Sequence, residues 1–291
     1  MIVITTPTGL IGHQVLNNLL KSDEPIRVIV RDPSRLSPRE HERVEVVQGS
    51  HSDLDVVTRA FAGADSVFWL VPPDPRAESV EAAYVGFSRS ACDAFKSQGV
   101  KRVVGVSAFG RGTAVSGNAG YVTASLAMDD LIASTGVSYR ALAMPTFMDN
   151  LLRQVESIKN QGVFAAPMSG GLKQPTCATR DIATVAARLL LDHSWSGVAS
   201  RPVLGPEDLS FNDMAQIMSE VLGKPVRFQQ MAGPALKAGL LQSGRSEAMA
   251  QGYLDMCAAY DQGLTTAEPR TPESSTPTSF RQWCEEVLVF L

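Results

Sequence analysis

The chain contains no Cys-x-x-Cys pair, no apolar run of transmembrane length and no excess of positive charge. Each absence removes a class of function. Cys92, Cys177, Cys257 and Cys284 are scattered, which argues against a disulfide framework and predicts reduced thiols in a cytoplasmic protein. The 4 histidines keep no ligand spacing to one another or to these cysteines, so no metal is expected. With 26 basic against 30 acidic side chains, the net charge of −4 offers no electrostatic reason for nucleic acid or a membrane as partner. Met1 runs directly into an apolar strand, so no signal peptide is expected.

What is present is the composition of a globular protein, 44% hydrophobic and 19% charged over 291 residues. That suits one large domain with a smaller appendage. Apolar runs bounded by turn residues recur at 2–5, 26–30, 43–47, 66–71, 101–106 and 137–142. Helical periodicity fills most of the gaps: Ile11, Val15, Leu19 and Leu20; Val57, Ala60 and Phe61; Val80, Ala83, Phe87 and Ala94; Leu126, Leu131 and Ile132. Strands alternating with helices imply right-handed crossovers and an α/β fold with a doubly wound parallel sheet, the Rossmann architecture. Its dinucleotide-binding domain is expected at 1–145. A smaller mixed α/β C-terminal lobe is expected at 146–291, interleaved with the first rather than independent.

In that lobe the pattern predicts helices at about 147–160, 180–191 and 211–222, two more within 234–262, and short strands at 162–165 and 226–229. Thr265 to Thr278 is rich in Thr, Pro and Ser. The helix that follows, opened by Ser279-x-x-Gln282, carries Phe280, Trp283, Val287 and Leu288 on an apolar face, so the stretch before it is expected to be an ordered surface loop.

The chemistry is concentrated at the start. Ile2-Val-Ile-Thr5 meets a turn, and an apolar-periodic helix begins directly behind it. In that setting backbone N–H groups and a helix N-terminus bind a diphosphate. Gly9 and Gly12 stand at the second and third positions of a G-x-x-G-x-x-G spacing, and Thr6 occupies the first. Thr6 does not readily take a positive φ, and Pro7 removes a donor. Thr8 supplies a hydroxyl, and Leu10 and Ile11 supply free N–H groups. The next strand ends in Arg31-Asp-Pro-Ser-Arg35. An arginine at this tip takes a ribose 2′-phosphate, so Arg31 and Arg35 favour NADP(H) over NAD(H); Asp32 would favour the reverse if the strand ended one residue later.

Ligands in open α/β sheets sit beyond the strand ends. Val71, Pro72, Ser107 and Met144 are placed there along the cofactor. Pro73, Phe109, Tyr121, Phe147 and Met148 are placed around a flat, apolar acceptor, although Phe147 and Met148 read equally well as core residues of the second lobe. Gly110, Gly112, Gly117 and Gly120 mark a loop able to close over substrate.

Thr8-Gly9-x-x-Gly12, Val30-Arg31-Asp32-Pro33, Phe147-Met-Asp-Asn150, Ala178-Thr-Arg-Asp-Ile-Ala183 and Thr276-Pro-x-x-Phe280 together resemble the NmrA-like group of atypical short-chain dehydrogenases. The resemblance spans nearly the whole chain. It implies a nicotinamide cofactor and either of two activities: NADPH-dependent reduction of quinones and dyes, or cofactor sensing without turnover. The chain departs from the group at Thr6, where glycine is usual. It also departs at Ser50, where an acidic residue near the adenine is usual, and at Leu142-Ala-Met144, where Leu-Arg-Pro is common.

The same resemblance implies that Ser107 orients a carbonyl and that Tyr121 begins a Y-x-x-x-K pair. The lysine position holds Ser125, which can bond a ribose hydroxyl but has no charge to lower the phenol pKa from about 10. Tyr121 would then act as a neutral general acid. The expected function is NADPH-dependent hydride transfer to a hydrophobic carbonyl, quinone or conjugated acceptor. A non-catalytic NAD(P) sensor acting through a protein partner is the alternative. A small hydrophobic substrate and a monomer or homodimer are expected.

Overall fold

The computed structural model describes residues 1–266 and 269–290. Its first half runs β1 (Ile2–Thr5), α1 (Leu10–Leu19), β2 (Ile26–Val30), α2 (Pro38–His41), β3 (Val44–Gln48), α3 (Leu54–Phe61) and β4 (Ser66–Trp69). A wide π turn (Ala82–Gly86) leads into α4 (Phe87–Ser97), followed by β5 (Arg102–Ala108), α5 (Tyr121–Ala133) and β6 (Ser138–Met144). Next come β7 (Thr146–Phe147), α6 (Val155–Gln161), β8 (Val163–Ala166), β9 (Gln174–Cys177), α7 (Thr179–Leu191) and β10 (Val198–Pro202). The chain closes with β11 (Asp208–Leu209), α8 (Phe211–Leu222), β12 (Arg227–Gln230), α9 (Gly233–Gln242), α10 (Glu247–Asp261) and α11 (Phe280–Trp283).

The main sheet holds 7 parallel strands in the order β3-β2-β1-β4-β5-β6-β10. Alternate side chains leave opposite faces, as strand geometry requires. Ile2, Ile4, Val28, Phe68 and Val104 pack beneath α1 and α7. Val3, Ile29, Val67, Trp69 and Val103 pack against α3, α4 and α5. The order reverses between β1 and β4, which opens a crevice beyond the C-terminal ends of those two strands. Thr5 ties that edge together: its hydroxyl donates to the Phe68 carbonyl (2.9 Å) and accepts from the Leu70 N–H (3.1 Å).

The remaining strands form sheets ordered β11-β9-β7 and β12-β8. Their core joins Met148, Leu151, Phe164, Met214 and Met218 to Phe280, Trp283 and Leu288. The single helix expected at 147–160 is divided. Phe147 pairs in β7 with Cys177, Met148–Gln154 is a 3₁₀ turn, and only α6 is α-helical. The Asp149 carboxylate explains part of this, because it turns away to accept the Thr179 N–H at 2.9 Å. β9, β10 and α2 were not expected. β10, Val-Ala-Ser-Arg-Pro, is an exposed edge strand with few apolar side chains to mark it.

Part of the 265–278 stretch, Ala267 and Glu268, lies outside the described residues. Elsewhere in it, Ser274, Thr276 and Thr278 are buried, and the Leu204 and Thr276 N–H groups donate to Ser274 and Leu204 carbonyls at 2.8 Å each. Among the described residues no helix is long and apolar enough to cross a membrane.

Candidate active site

The β1–α1 turn is built around Thr6, which sits at φ 52°. The sequence argued against a positive φ here; the fold imposes one nonetheless. The Gly9 N–H donates to the Thr6 carbonyl at 3.0 Å, closing the turn. A Cβ on Gly12 would stand 2.1 Å from that carbonyl oxygen, so the helix approaches the strand only because residue 12 is glycine. A Cβ on Gly9 would meet nothing closer than 3.4 Å. Gly9 is therefore not required by internal packing, and its bare backbone faces outward.

Gly9 caps α1 with extended backbone and no side-chain acceptor, and the first turn contains no acidic residue. The N–H groups of Leu10 and Ile11 are thus left for an external acceptor at the positive end of the helix dipole. Leu10 is 54% exposed on this first turn. Pro7 is buried and Thr8 partly exposed. An uncapped helix start, a bare glycine and a crevice at the point where strand order reverses fit a dinucleotide diphosphate.

At the tip of the next strand, β2 stops at Val30, which puts Arg31 just beyond it and leaves it exposed, with Arg35 exposed one turn later. Asp32 is otherwise engaged: its Oδ1 accepts from the Ser34 N–H at 3.1 Å and the Ser34 hydroxyl at 2.6 Å, which lowers its pKa. Ser50 exchanges a hydroxyl bond with Ser52 at 2.8 Å. Behind it His51 is buried against Trp69 and Phe87 and donates from Nε2 to the Leu70 carbonyl at 3.0 Å. Burial, countered by that bond, lowers its pKa to about 4 and keeps the ring neutral.

At the strand ends Val71 and Met144 are buried, while Pro72 is exposed and Pro73 partly so. Ser107 differs from expectation. Its hydroxyl points inward and donates to Asp129 Oδ2 at 2.5 Å, while Tyr139 donates to Oδ1 at 2.6 Å. The proton that would orient a carbonyl is committed to this carboxylate. Burial raises Asp129 to about 6, offset by the two hydroxyl bonds and by Arg111.

Tyr121 differs too. Its hydroxyl donates to the Met249 carbonyl on α10 at 2.9 Å, and burial raises its pKa, opposed by Arg245. A general-acid role would require that bond to break. Ser125 is buried one turn further along α5. Phe109 packs with Ala143 and Leu204, and Phe147 packs against the face covered by α1 and α7. Met148, 1% exposed, belongs to the core of the second lobe, so the acceptor role expected for it gives way to the core reading.

Residues that sequence reasoning did not single out complete this edge: His51, Tyr84, Asp129, Arg245 and Tyr253. Only Asp129 had a local signal, as an acid on the apolar side of a helical pattern. The others are brought in by chain segments distant in sequence.

A model of the NAD(P)H-binding family matches residues 7–193. The chain is similar to a reductase of (4-alkanoyl-5-oxo-2,5-dihydrofuran-3-yl)methyl phosphate from Streptomyces griseus, 28% identical over 98% of this chain and 97% of that one. It is similar to an NAD(P)H azoreductase from Xenophilus azovorans, 26% identical over 89% and 86% of the two chains. Its fold matches an NADPH-dependent quinone oxidoreductase from Escherichia coli, solved with NADPH, with a TM-score of 0.77, 22% identity and coverage of 100% and 99%. With this fold and this turn, the chain belongs to the NAD(P)H-binding family.

Proposed function

We propose that the chain is an NADPH-dependent reductase of a flat conjugated acceptor, of the quinone, enone or related carbonyl class. The carrying observation is the uncapped start of α1 behind the Thr6–Gly12 turn, at the reversal point of the sheet. The Leu10 and Ile11 N–H groups hold the diphosphate, with the Thr8 hydroxyl beside them. Arg31 and Arg35 take the 2′-phosphate, since Asp32 is occupied by Ser34. The bound cofactor supplies a hydride.

What remains for this chain is to orient the acceptor against the cofactor. Val71 and Met144 underlie the cofactor, while Pro72, Pro73 and Tyr121 border the acceptor. Tyr121 and Ser107 both have their protons engaged, so the product oxygen is protonated from solvent. That suits an acceptor already electrophilic enough to need little acid help. The similar proteins support this class by name: a butenolide phosphate reductase, an azoreductase and a quinone oxidoreductase. The lysine replaced by Ser125 favours the second reading, a cofactor sensor without turnover.

The test is titration with NADPH and NADH, followed by NADPH oxidation against a panel of quinones and enones. Turnover supports the reductase. Tight binding without turnover supports the sensor, and no binding of either cofactor rejects both. Arg31→Ala is expected to weaken NADPH by about tenfold, roughly 1.4 kcal/mol, and NADH little. Equal weakening of both would reject the 2′-phosphate role.

A further inference from the structure

The segments that leave β4 and β5 meet α10 in an aromatic wall. Tyr84 lies in the π turn, Tyr121 opens α5, and Tyr253 lies in the middle of α10. The ring centroids are 6.2 Å apart for Tyr84 and Tyr121, and 6.0 Å apart for Tyr121 and Tyr253. Arg245 reaches this wall from the turn before α10, with its Nη1 3.5 Å from the Tyr121 hydroxyl.

Among the described residues neither Arg245 nor Arg153 takes part in an ion pair. Burial raises the Tyr253 phenol to about 12, opposed by the charges of Arg153 and Arg245. The nearest acid in sequence, Glu247, is exposed and paired with Lys237. In a chain of net charge −4, a cation with no acid partner among the described residues therefore borders a partly buried aromatic surface.

Guanidinium groups recognise oxyanions through paired N–H donors, and tyrosine rings take flat π systems on their faces. We propose that the acceptor carries an anionic substituent of the phosphate, sulfonate or carboxylate class, held by Arg245, with its conjugated ring against the tyrosine wall. The assignment rests on the reductase reading for what is reduced, but binding alone tests the anion site.

The probes are anthraquinone-2-sulfonate and its uncharged counterpart 2-(hydroxymethyl)anthraquinone, titrated calorimetrically into the protein saturated with NADP⁺. The sulfonate is expected to bind about tenfold tighter or better. Arg245→Gln should abolish that preference, and Arg245→Lys should restore most of it. Equal affinity for the two probes, binding of neither, or a preference that survives Arg245→Gln would overturn the assignment. NADPH oxidation with both quinones separates the two readings. Turnover without a sulfonate preference keeps the reductase and rejects the anion site. A preference without turnover keeps the anion site and rejects quinone reduction.

Discussion

Thr6 is held at φ 52°, a region that costs a β-branched residue about 1–2 kcal/mol, and its buried hydroxyl has no hydrogen-bond partner. Thr6→Gly is therefore expected to stabilise the protein by about 0.5–1 kcal/mol in urea denaturation, the gain being reduced by glycine's greater freedom when unfolded. A loss of stability would show that the side chain has a packing role outweighing the strain. Asp129 makes a second prediction at this scale. Its folded pKa of about 6 lies above the unfolded value of about 3.9, so the native state binds more protons between them. Stability then falls as pH rises through that window, by about 2–3 kcal/mol in all, and is highest below it. Asp129→Asn should flatten this slope in denaturation curves measured from pH 4 to 7. An unchanged slope would assign it to other groups.

Between elements, α10 is pinned to the β4 and β5 loops. Ser246 donates through its N–H to the Pro75 carbonyl (3.0 Å) and through its hydroxyl to the Ala77 carbonyl (2.6 Å), while Tyr121 donates to Met249. Tyr121→Phe removes one of these bonds and is expected to cost about 1 kcal/mol. NADPH oxidation should stay within about threefold of the parent, because general-acid catalysis would be worth about a hundredfold or more. A hundredfold fall would restore Tyr121 as the proton donor. The elements themselves were unevenly legible. α8 was readable to the residue because Ser210 and Asp213 cap it and Gly223 ends it. The 147–160 segment was not, because its first residues pair with β9, a partner whose own four-residue run gave no strand pattern.

At the scale of the molecule, the second lobe depends on its last helix. Trp283 is 1% exposed and stacks on Phe280 at 5.8 Å within the core that also holds Met148 and Phe164. Trp283→Ala should destabilise the protein by about 3–5 kcal/mol in denaturant titration. A cost below about 1 kcal/mol would mean that the helix docks loosely. The sequence by itself determined the strand–helix alternation, the glycine turn after β1 and the arginine at the tip of β2, because hydrophobic periodicity and glycine spacing are local properties of the chain. Only the tertiary structure decided that Thr6 takes a left-handed conformation and that Ser107 and Tyr121 commit their protons inside the protein. It also placed Arg245 and Tyr253 beside Tyr121 at the start of α5. Those outcomes depend on which distant backbone and side chains arrive at the same place, and no local pattern encodes that meeting.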